Sequence, residues 1–399
     1  MGLGEKRVDI VGAHARHAVD RSVGTVDPLA EAARSLLAAH WREPGFTVPN
    51  PHVYPWQWLL DSCFHAVALA RLGSPERGLH ELATLLGAAD PSGFLPHVVH
   101  HGEPEALASF WGRGGSSCLT QPPIHGWALT ELATAGIDVP EVVLHRSARA
   151  LRWLAAHRRR GAHDGLLVVV HPWETGCDDS PRWDPWCPGR WERERWRRVK
   201  GALVASTTRD PAGAALGNPR FEVASASFNA LTAWSARRLG SLLGADDLCG
   251  LADELTEALR THWDPMRTTW RDAGGSTVRT LDALVALLVD PQPAAFDSLI
   301  DAEAFGAAAG PRGVHRDEPT YRPDVYWRGS AWPQLSYLLW LAATAAGRRD
   351  VAASLAASLR RGATASGLAE RWHPDSGAPL GAVPQSWTAL AALVPAQRD

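Results

Sequence analysis

The stretch HPWETGCDDSPRWD, residues 171–184, combines four carboxylates with tryptophan, histidine and arginine side chains. Gly176 and Pro181 flank its central acids, so the stretch is predicted to form a loop and not the interior of a helix. Carboxylates crowded in irregular backbone between aromatic rings are a setting in which one acid stays protonated near neutral pH. A solvated acidic loop is the alternative, but such a loop has no need of Trp173 and Trp183. We therefore take this stretch as the first candidate for a catalytic segment.

Outward from this stretch, apolar residues at helical spacing dominate the chain in both directions. Residues 166–170, directly before it, are the one short run with the composition of a strand. About a dozen helices, with long aromatic loops at alternate connections, indicate helical hairpins arranged in a ring. We expect helices near residues 28–40, 59–71, 75–86, 124–134, 142–157, 224–243, 245–262, 277–288, 302–309, 329–345, 350–361 and 384–393.

The fold class predicted from this pattern is all-α. It is a toroid of six helical hairpins in a single domain, residues 1–399, with the active-site loops gathered at one end. Residues 183–218 read as a long loop, and long loops inside compact domains are commonly functional. This segment is the candidate for a lid over the site.

Composition excludes several classes of protein. Of the 399 residues, 45% are hydrophobic and the formal net charge is -3, so no nucleic-acid partner is expected. The absence of an 18-residue apolar run predicts no membrane span. Five scattered cysteines without a CxxC pair fit a reducing compartment, and the first residues lack a signal-peptide pattern, so a cytoplasmic location is expected. A homo-oligomer stays possible.

Tryptophan is unusually frequent, with 19 residues against 4 tyrosines and 8 phenylalanines. Sugar rings present apolar C–H faces that stack on indole rings, while nearby polar groups bind the hydroxyls. About half of the tryptophans are expected simply to fill the helical core. The others lie in predicted loops or at helix starts and are candidate platforms for sugar rings: Trp56, Trp58, Trp111, Trp173, Trp327, Trp332 and Trp372.

Four further clusters bring polar and aromatic residues together. They are YPWQWLLDSCFHA (54–66), LTQPPIHGW (119–127), YWRGSAWPQ (326–334) and AERWHPDSGAPLGAVPQSW (369–387). In the first cluster Trp58 and Asp61 are about one helical turn apart, so both can face one pocket. Carboxylates far apart in sequence, each flanked by tryptophan, suit glycoside hydrolysis, in which one acid protonates the leaving oxygen and another activates water or attacks the anomeric carbon.

Two other chemistries fit less well. His97, His100 and His101 lie in one loop, but no HExxH pattern or paired acidic ligand accompanies them, so neither a metal nor another cofactor is expected. Asp178 and Asp179 faintly resemble the magnesium-binding aspartates of class I terpene cyclases, which are also all-helical. The loop is broken by Pro181, and that match is poor.

The same clusters resemble glycoside hydrolase family 63, and most closely its bacterial glucosylglycerate and mannosylglycerate hydrolases. The resemblance runs from about residue 54 to residue 393, in the same order. It implies an (α/α)6 barrel that hydrolyses α-glycosidic bonds with inversion, with Asp178 as general acid and Glu370 as base. The sugar-binding residues that it implies are Tyr54, Trp58, Asp61, Gln121, Trp173, Gly176, Tyr326, Trp327 and Trp332.

The chain departs from the family pattern in a few places. Leu60 stands where an aromatic residue is usual, Cys177 and Asp179 replace a Met–Asn pair, and Gln385 replaces a phenylalanine. The region 200–322 is shorter than in these relatives, where it carries contacts to the glycerate carboxylate. Arg220 is the only candidate for that contact that the sequence suggests.

The sequence thus predicts an inverting α-glycosidase whose partner is a small carbohydrate, glucosylglycerate-like or mannosylglycerate-like. Another short α-linked oligosaccharide is the alternative substrate. A sugar-binding or biosynthetic protein that has lost hydrolysis is the alternative outside this class, but the presence of both acids argues against such a loss. Replacement of Asp179 by the asparagine usual in relatives is expected to leave most of the activity.

Overall fold

The computed structural model describes residues 27–160 and 165–396. Within these residues the chain forms twelve α-helices and five short two-stranded sheets. In chain order the helices are α1 Pro28–His40, α2 Leu59–Arg71, α3 Pro75–Gly87, α4 Ala108–Trp111, α5 His125–Thr134, α6 Glu141–His157, α7 Arg193–Ala205, α8 Ala226–Leu243, α9 Asp246–Thr261, α10 Pro293–Ile300, α11 Pro333–Ala345 and α12 Arg349–Ala365.

Six elements form a closed inner ring, in which each packs against the next. Four are α2, α5, α8 and α11, and the other two are the 3-10 helices Leu281–Leu288 and Ser386–Ala392. An outer layer packs against the ring as hairpin partners: α3 on α2, α6 on α5, α9 on α8, α10 on Leu281–Leu288, α12 on α11 and α1 on Ser386–Ala392. The predicted all-α (α/α)6 toroid is therefore confirmed.

Burial distinguishes the two layers. Eleven of the thirteen residues of α2 are buried, including the polar Asp61, Ser62 and His65. In α9 only one apolar face is buried, as expected for a helix with solvent on its other side. The inner helices thus have polar groups in the core, and buried polar groups require partners or a function.

The paired strands lie in the connections. They are β1 Trp41–Arg42 with β2 Phe46–Thr47, β3 Gln57–Trp58 with β4 Val98–Val99, β5 Thr208–Arg209 with β6 Ala215–Gly217, β7 Trp263–Asp264 with β8 Thr269–Trp270, and β9 Arg371–Trp372 with β10 Pro379–Leu380. All five pairs are antiparallel. They fix the loops that precede the inner helices.

Several local predictions were wrong. Residues 302–309 form turns, and the helix of this region is α10, which begins at a proline suited to a first helical turn. Residues 277–280 precede the 3-10 helix Leu281–Leu288 and are not helical. Residues 166–170 make single bridges, Leu167 with Arg160 and Val169 with Val223, without forming a strand. The predicted loop 183–218 contains α7 and the hairpin β5–β6.

Across the described residues, no helix is both long enough and apolar enough to cross a bilayer.

Candidate active site

A cavity of about 610 Å³ opens among the loops that lead into the inner helices. Ten of the predicted site residues line it: Tyr54, Trp58, Asp61, Gln121, Trp173, Gly176, Asp178, Tyr326, Trp327 and Glu370. Trp332 is not among the lining residues. It is fully buried and stacks behind Trp327, with ring centroids 3.6 Å apart. Its observed contact is with the cavity wall, where it holds the Trp327 ring in place.

Glu370 is held by neutral hydrogen-bond donors. The hydroxyl groups of Tyr54 and Tyr326 donate to its Oε1 at 2.9 and 3.3 Å, and the backbone N–H of Ala382 donates to its Oε2 at 2.9 Å. Gly381, with φ +78°, leaves room for this carboxylate, because a Cβ there would lie 2.1 Å from Oε2. Burial raises the pKa of Glu370, although these donors partly offset the effect.

Asp178 lies just beyond the 3-10 helix Pro172–Thr175, which ends at Gly176 in the left-handed conformation, φ +73°. The indole N–H of Trp173 donates to Asp178 Oδ2 at 3.1 Å. The indole N–H of Trp196, on α7, donates to the backbone carbonyl of Asp178 at 2.9 Å. The acidic loop is therefore fixed both by its own tryptophan and by helix α7.

Lys200 of α7 pairs with both central carboxylates of the loop. Its ammonium group donates to Asp178 Oδ2 and, at 2.5 Å, to Asp179 Oδ1. All three side chains are at most 15% exposed. Two carboxylates and one ammonium group form a buried cluster with an excess negative charge, so the cluster favours taking up one proton.

The two aspartates respond differently to this cluster. Burial opposes the ionisation of Asp178, but the charge and hydrogen bond of Lys200 outweigh it and hold the pKa of Asp178 below its ordinary value. Burial and the charge of Asp178 raise the pKa of Asp179 to about 6. The first proton taken up by the pair therefore belongs mainly to Asp179.

Lys200 was missed by reasoning from the sequence, although a signal existed. The chain has 40 basic residues, and only Lys6 and Lys200 are lysines. Because the chain strongly prefers arginine, each lysine marks a position where an ammonium group is needed. An ammonium group is a compact point charge that can reach two carboxylates at once. Arg193 and Arg197 were also missed. Both line the cavity, and their spacing puts them on the same face of α7 as Lys200.

Five polar atoms in the cavity wall have no hydrogen-bond partner among the described residues. They are Oδ1 of Asp61, the indole nitrogens of Trp58 and Trp327, Nε of Arg371 and the side-chain carbonyl oxygen of Gln385. Burial, reinforced by the charge of Glu370, raises the pKa of Asp61 to about 7. Gln121 is fixed differently, because its side-chain carbonyl accepts from the backbone N–H of Leu60 at 3.2 Å. Buried polar groups without partners are expected where a polar ligand binds.

The other acids of the 171–184 stretch have structural partners. Glu174 forms a two-point ion pair with Arg158 at 2.5 and 2.7 Å, and both side chains are buried. Asp184 pairs in the same way with Arg328 at 2.6 and 2.8 Å. Arg220 is exposed and does not line the cavity.

Two of the three histidines of the predicted loop contact neighbouring protein groups, whereas neither ring nitrogen of His100 has a hydrogen-bond partner among the described residues. His97 lines the cavity and contacts the Ser117 hydroxyl at 2.5 Å, and burial lowers the pKa of His97 to about 3. His101 contacts the Gln57 side-chain carbonyl at 2.6 Å. Throughout residues 27–160 and 165–396, no three histidine, cysteine or acidic side chains are grouped to hold a metal ion.

Comparison with known proteins gives consistent matches along nearly the whole chain. A glucosylglycerate hydrolase from Mycolicibacterium hassiacum is 27% identical over 92% of this chain and 97% of the relative. A mannosylglycerate hydrolase from Thermus thermophilus is 29% identical over 87% of this chain and 96% of the relative.

The fold comparison agrees with these relatives. The crystal structure of a family 63 mannosylglycerate hydrolase from Thermus thermophilus, in complex with Tris and D-glycerate, superposes with a TM-score of 0.79 at 24% identity. The superposition covers 92% of this chain and 99% of that protein. Residues 54–388 match the mannosylglycerate hydrolase MGH1-like glycoside hydrolase domain. The chain therefore belongs to the MGH1-like glycoside hydrolases of family 63, and it is a glycoside hydrolase.

Proposed function

We propose that this enzyme hydrolyses a small α-glucoside or α-mannoside whose aglycone carries a carboxylate, glucosylglycerate-like or mannosylglycerate-like, with inversion at the anomeric carbon. The observation that carries the proposal is that two carboxylates with unlike surroundings, Asp178 and Glu370, line one cavity. Inverting glycosidases need such a pair, one group to donate a proton and the other to accept one. The names of the full-length relatives support the substrate class.

Glu370 is assigned as the general base. Its Oε2 accepts from a backbone N–H group and its Oε1 from two tyrosine hydroxyls, which orient the carboxylate and leave one lone pair of Oε2 for a water molecule. The pKa raised by burial makes this carboxylate a better proton acceptor once it is ionised. Glu370 takes a proton from water as the water oxygen attacks the anomeric carbon.

Asp178 is assigned as the general acid. It donates its proton to the glycosidic oxygen as the bond from that oxygen to the anomeric carbon breaks, and the aglycone leaves as an alcohol. Asp178 therefore has to hold the proton of its cluster when substrate is bound. A leaving oxygen that approaches Asp178 favours transfer of the shared proton from Asp179, while Lys200 stabilises the carboxylate that is left ionised.

The sugar ring is assigned to the part of the cavity next to Glu370. Asp61 and the indole N–H groups of Trp58 and Trp327 supply polar atoms that lack other partners among the described residues, as sugar hydroxyls require. The ring of Trp327 is kept rigid by Trp332 behind it, so it can serve as a stacking platform. This division gives Trp332 a supporting role in place of the direct sugar contact implied by the resemblance.

The aglycone carboxylate is assigned to Arg193 and Arg197. These guanidinium groups line the cavity and have no ion-pair partner among the described residues. Planar guanidinium groups are well suited to carboxylates, which they bind through paired hydrogen bonds. They replace Arg220 as the candidate contact. Helix α7 also carries Lys200, so we propose that the lid within residues 183–218 is chiefly this helix.

The substrate assignment is tested with matched compounds. Purified enzyme is assayed against glucosylglycerate, mannosylglycerate, neutral α-linked disaccharides and glucosylglycerol, which keeps the aglycone size but lacks the carboxylate. The glycerate compounds are expected to give the highest kcat/KM, and Arg193→Ala/Arg197→Ala should remove that preference. Arg198→Ala, on the same helix but outside the cavity lining, is the control. Higher kcat/KM for a neutral disaccharide would identify a short α-linked oligosaccharide as the substrate.

The stereochemistry is tested on the first product formed. NMR spectra recorded before mutarotation are expected to show the β-anomer released from an α-linked substrate. Release of the α-anomer would contradict inversion and would require a covalent intermediate.

A further inference from the structure

A second cleft, of about 620 Å³, lies on the far side of two elements that bound the sugar cavity. These elements are the first turn of α7 and the segment Tyr326–Arg328. The cleft is lined by Asp184, Arg190, Trp191, Glu192, Arg195, Pro319, Thr320, Arg322, Val325 and Arg328. None of these residues lines the sugar cavity. The cleft is therefore a separate feature of the surface.

Both carboxylates of the cleft are already engaged. Asp184 forms the two-point ion pair with Arg328, whose guanidinium also lies 4.3 Å from the ring centre of Trp191. Glu192 caps helix α7, because its two oxygens accept from the backbone N–H groups of Glu194 and Arg195 at 2.9 Å. Glu192 keeps its charge and offsets part of that of Arg195, but four arginines against two carboxylates leave the cleft with an excess of two positive charges.

Three guanidinium groups remain without a carboxylate partner among the described residues. Arg195 donates only to the backbone carbonyls of Pro188 and Arg190, and Arg322 donates only to those of Pro319 and Tyr321. Such bonds leave most of the five N–H groups of a guanidinium free to donate. The Arg190 side chain has no partner in the described part of the chain. Like charges in a concave site raise the local concentration of anions.

The wall of the cleft also holds two polar atoms that lack hydrogen-bond partners among the described residues. The indole N–H of Trp191 is a donor only, and the hydroxyl of Thr320 can donate as well as accept. Both atoms are buried from water, so each one without a partner carries a desolvation penalty. An oxygen-rich ligand in the cleft would satisfy both of them together with the arginines.

We propose that this cleft binds a small oxyanion of the phosphate class, as inorganic phosphate or as the phosphate group of a small ester. Phosphate oxygens are acceptors, and they match a site that offers guanidinium, indole and hydroxyl donors. Arg190, Arg195 and Arg322 hold the anion, and Trp191 and Thr320 orient it. The proposal does not depend on the reaction assigned to the sugar cavity.

Calorimetric titration of the full chain at constant ionic strength tests the proposal. The probes are inorganic phosphate and glucose 6-phosphate, with glucose as the neutral control, and their relative affinities show whether a free anion or an ester is preferred. We expect saturable binding at one site per chain for at least one phosphate probe. Arg190→Ala/Arg322→Ala is expected to weaken that binding on the order of tenfold or more. Both side chains are exposed, so the variant should keep its melting temperature.

Two control variants identify the site. Arg198→Ala removes the same charge from α7 outside both cavities, and Arg193→Ala/Arg197→Ala removes the arginines of the sugar cavity. Phosphate affinity within about twofold of wild type in both would support the cleft, since distant surface charges contribute little. The proposal is overturned if neither phosphate probe binds saturably, if the cleft variant binds like wild type, or if a control loses as much affinity as the cleft variant.

Discussion

Glu370 and Asp178 line the same cavity, yet their neighbours differ in kind. Glu370 is surrounded by neutral donors, two tyrosine hydroxyls and one backbone N–H group. Asp178 belongs to a charged cluster with Asp179 and Lys200. Neutral donors orient a carboxylate without adding a counter-charge, whereas a buried ammonium group favours the ionised form strongly. The two halves of the site therefore control their protons by different means, and substitutions should affect them differently.

The largest effect is expected at Glu370. Glu370→Ala removes the proposed base but leaves the acid and the sugar contacts, so turnover should fall about 10²–10⁴-fold. Substrate affinity, measured by calorimetry, should change little. Azide should restore part of the rate, because it can attack the anomeric carbon from the space vacated by the carboxylate, giving a glycosyl azide.

Glu194→Ala is the matched control, since Glu194 also lines the cavity but does not contact these donors. It should keep near-normal turnover. Near-normal turnover in Glu370→Ala would instead transfer the role of base to another carboxylate, with Asp61 the first to test.

A similar loss on the natural substrate is expected for Asp178→Asn, but with a different dependence on the leaving group. An acid is needed only when the departing oxygen is basic, and a nitrophenolate oxygen is only weakly basic. The variant should therefore lose roughly 10²–10⁴-fold in turnover of the natural substrate but much less in turnover of a nitrophenyl α-glycoside. Rates on both substrates for this variant and for Glu370→Ala provide the measurement. If Asp178→Asn lowers the rate equally on the two substrates, the assignment of Asp178 as the acid is contradicted.

An intermediate effect is expected from Gly381→Ala, which tests how tightly the base is positioned. The added methyl group would lie 2.1 Å from Glu370 Oε2, so the carboxylate has to move. A shift of about 1 Å in a reacting group can cost on the order of 10²-fold in rate. Gly377→Ala is the control, in the turn between β9 and β10, with a similar φ of +73° but its new methyl group against Ala365. Both variants should lose stability, and only Gly381→Ala should show the large fall in kcat.

The smallest effects are expected within the charged cluster, and they appear as shifts in the pH profile. The wild type needs one proton on the Asp178–Asp179 pair, and activity should fall as pH rises through about 6. It also needs ionised Glu370, so activity should fall at low pH as well. The midpoint of this acid limb should lie above the ordinary glutamate pKa. The optimum should therefore lie on the acid side of neutrality.

Substitutions in the cluster should move the alkaline limb in opposite directions. Lys200→Met removes the charge that holds the pKa of Asp178 down, so the limb should move to higher pH. Asp179→Asn leaves Lys200 paired with Asp178 alone, so the limb should move to lower pH and activity at neutral pH should fall.

The pH shift of the double variant Asp179→Asn/Lys200→Met should differ from the sum of the two single shifts by a coupling energy of about 0.5–3 kcal/mol, because both side chains contact Asp178 or its partner. Additive effects would show that the two side chains act independently. The fall in activity expected for Asp179→Asn at neutral pH differs from the expectation drawn from the sequence, in which this substitution leaves most of the activity.

The features predicted well from the sequence were those with local signals. Helix α2 begins and ends where its apolar pattern predicted, and the loop clusters that carry Tyr54, Gln121 and Glu370 line the cavity. Periodicity reports which face of a helix is buried, and proline or glycine reports where it stops. These signals sufficed for the ring and for most of the residues in the cavity wall.

The features that were missed depend on tertiary partners. Nothing near Lys200 in sequence indicates that it reaches two aspartates more than twenty residues earlier in the chain. Helix α7 is rich in charge because one face contacts solvent and another the cavity, so its apolar periodicity is weak. Trp332 lies at the start of an inner helix, a position at which site residues were expected. Only the packing of Trp327 against it shows that it faces away from the cavity.

The closure of the inner ring has a consequence for how the molecule opens. Five of the outer elements are joined to their inner partners by a nearby loop, but α1 meets Ser386–Ala392 only through contacts between residues far apart in sequence. Closing so long a span carries a larger entropic cost than closing a hairpin loop, so this junction is expected to form late and to separate early. Glu370 is hydrogen-bonded to Ala382, only a few residues before the junction, whereas Asp178 is fixed by α7. Amide hydrogen exchange at this boundary should therefore report a partly open state that has lost the base half of the site while the acid half stays assembled.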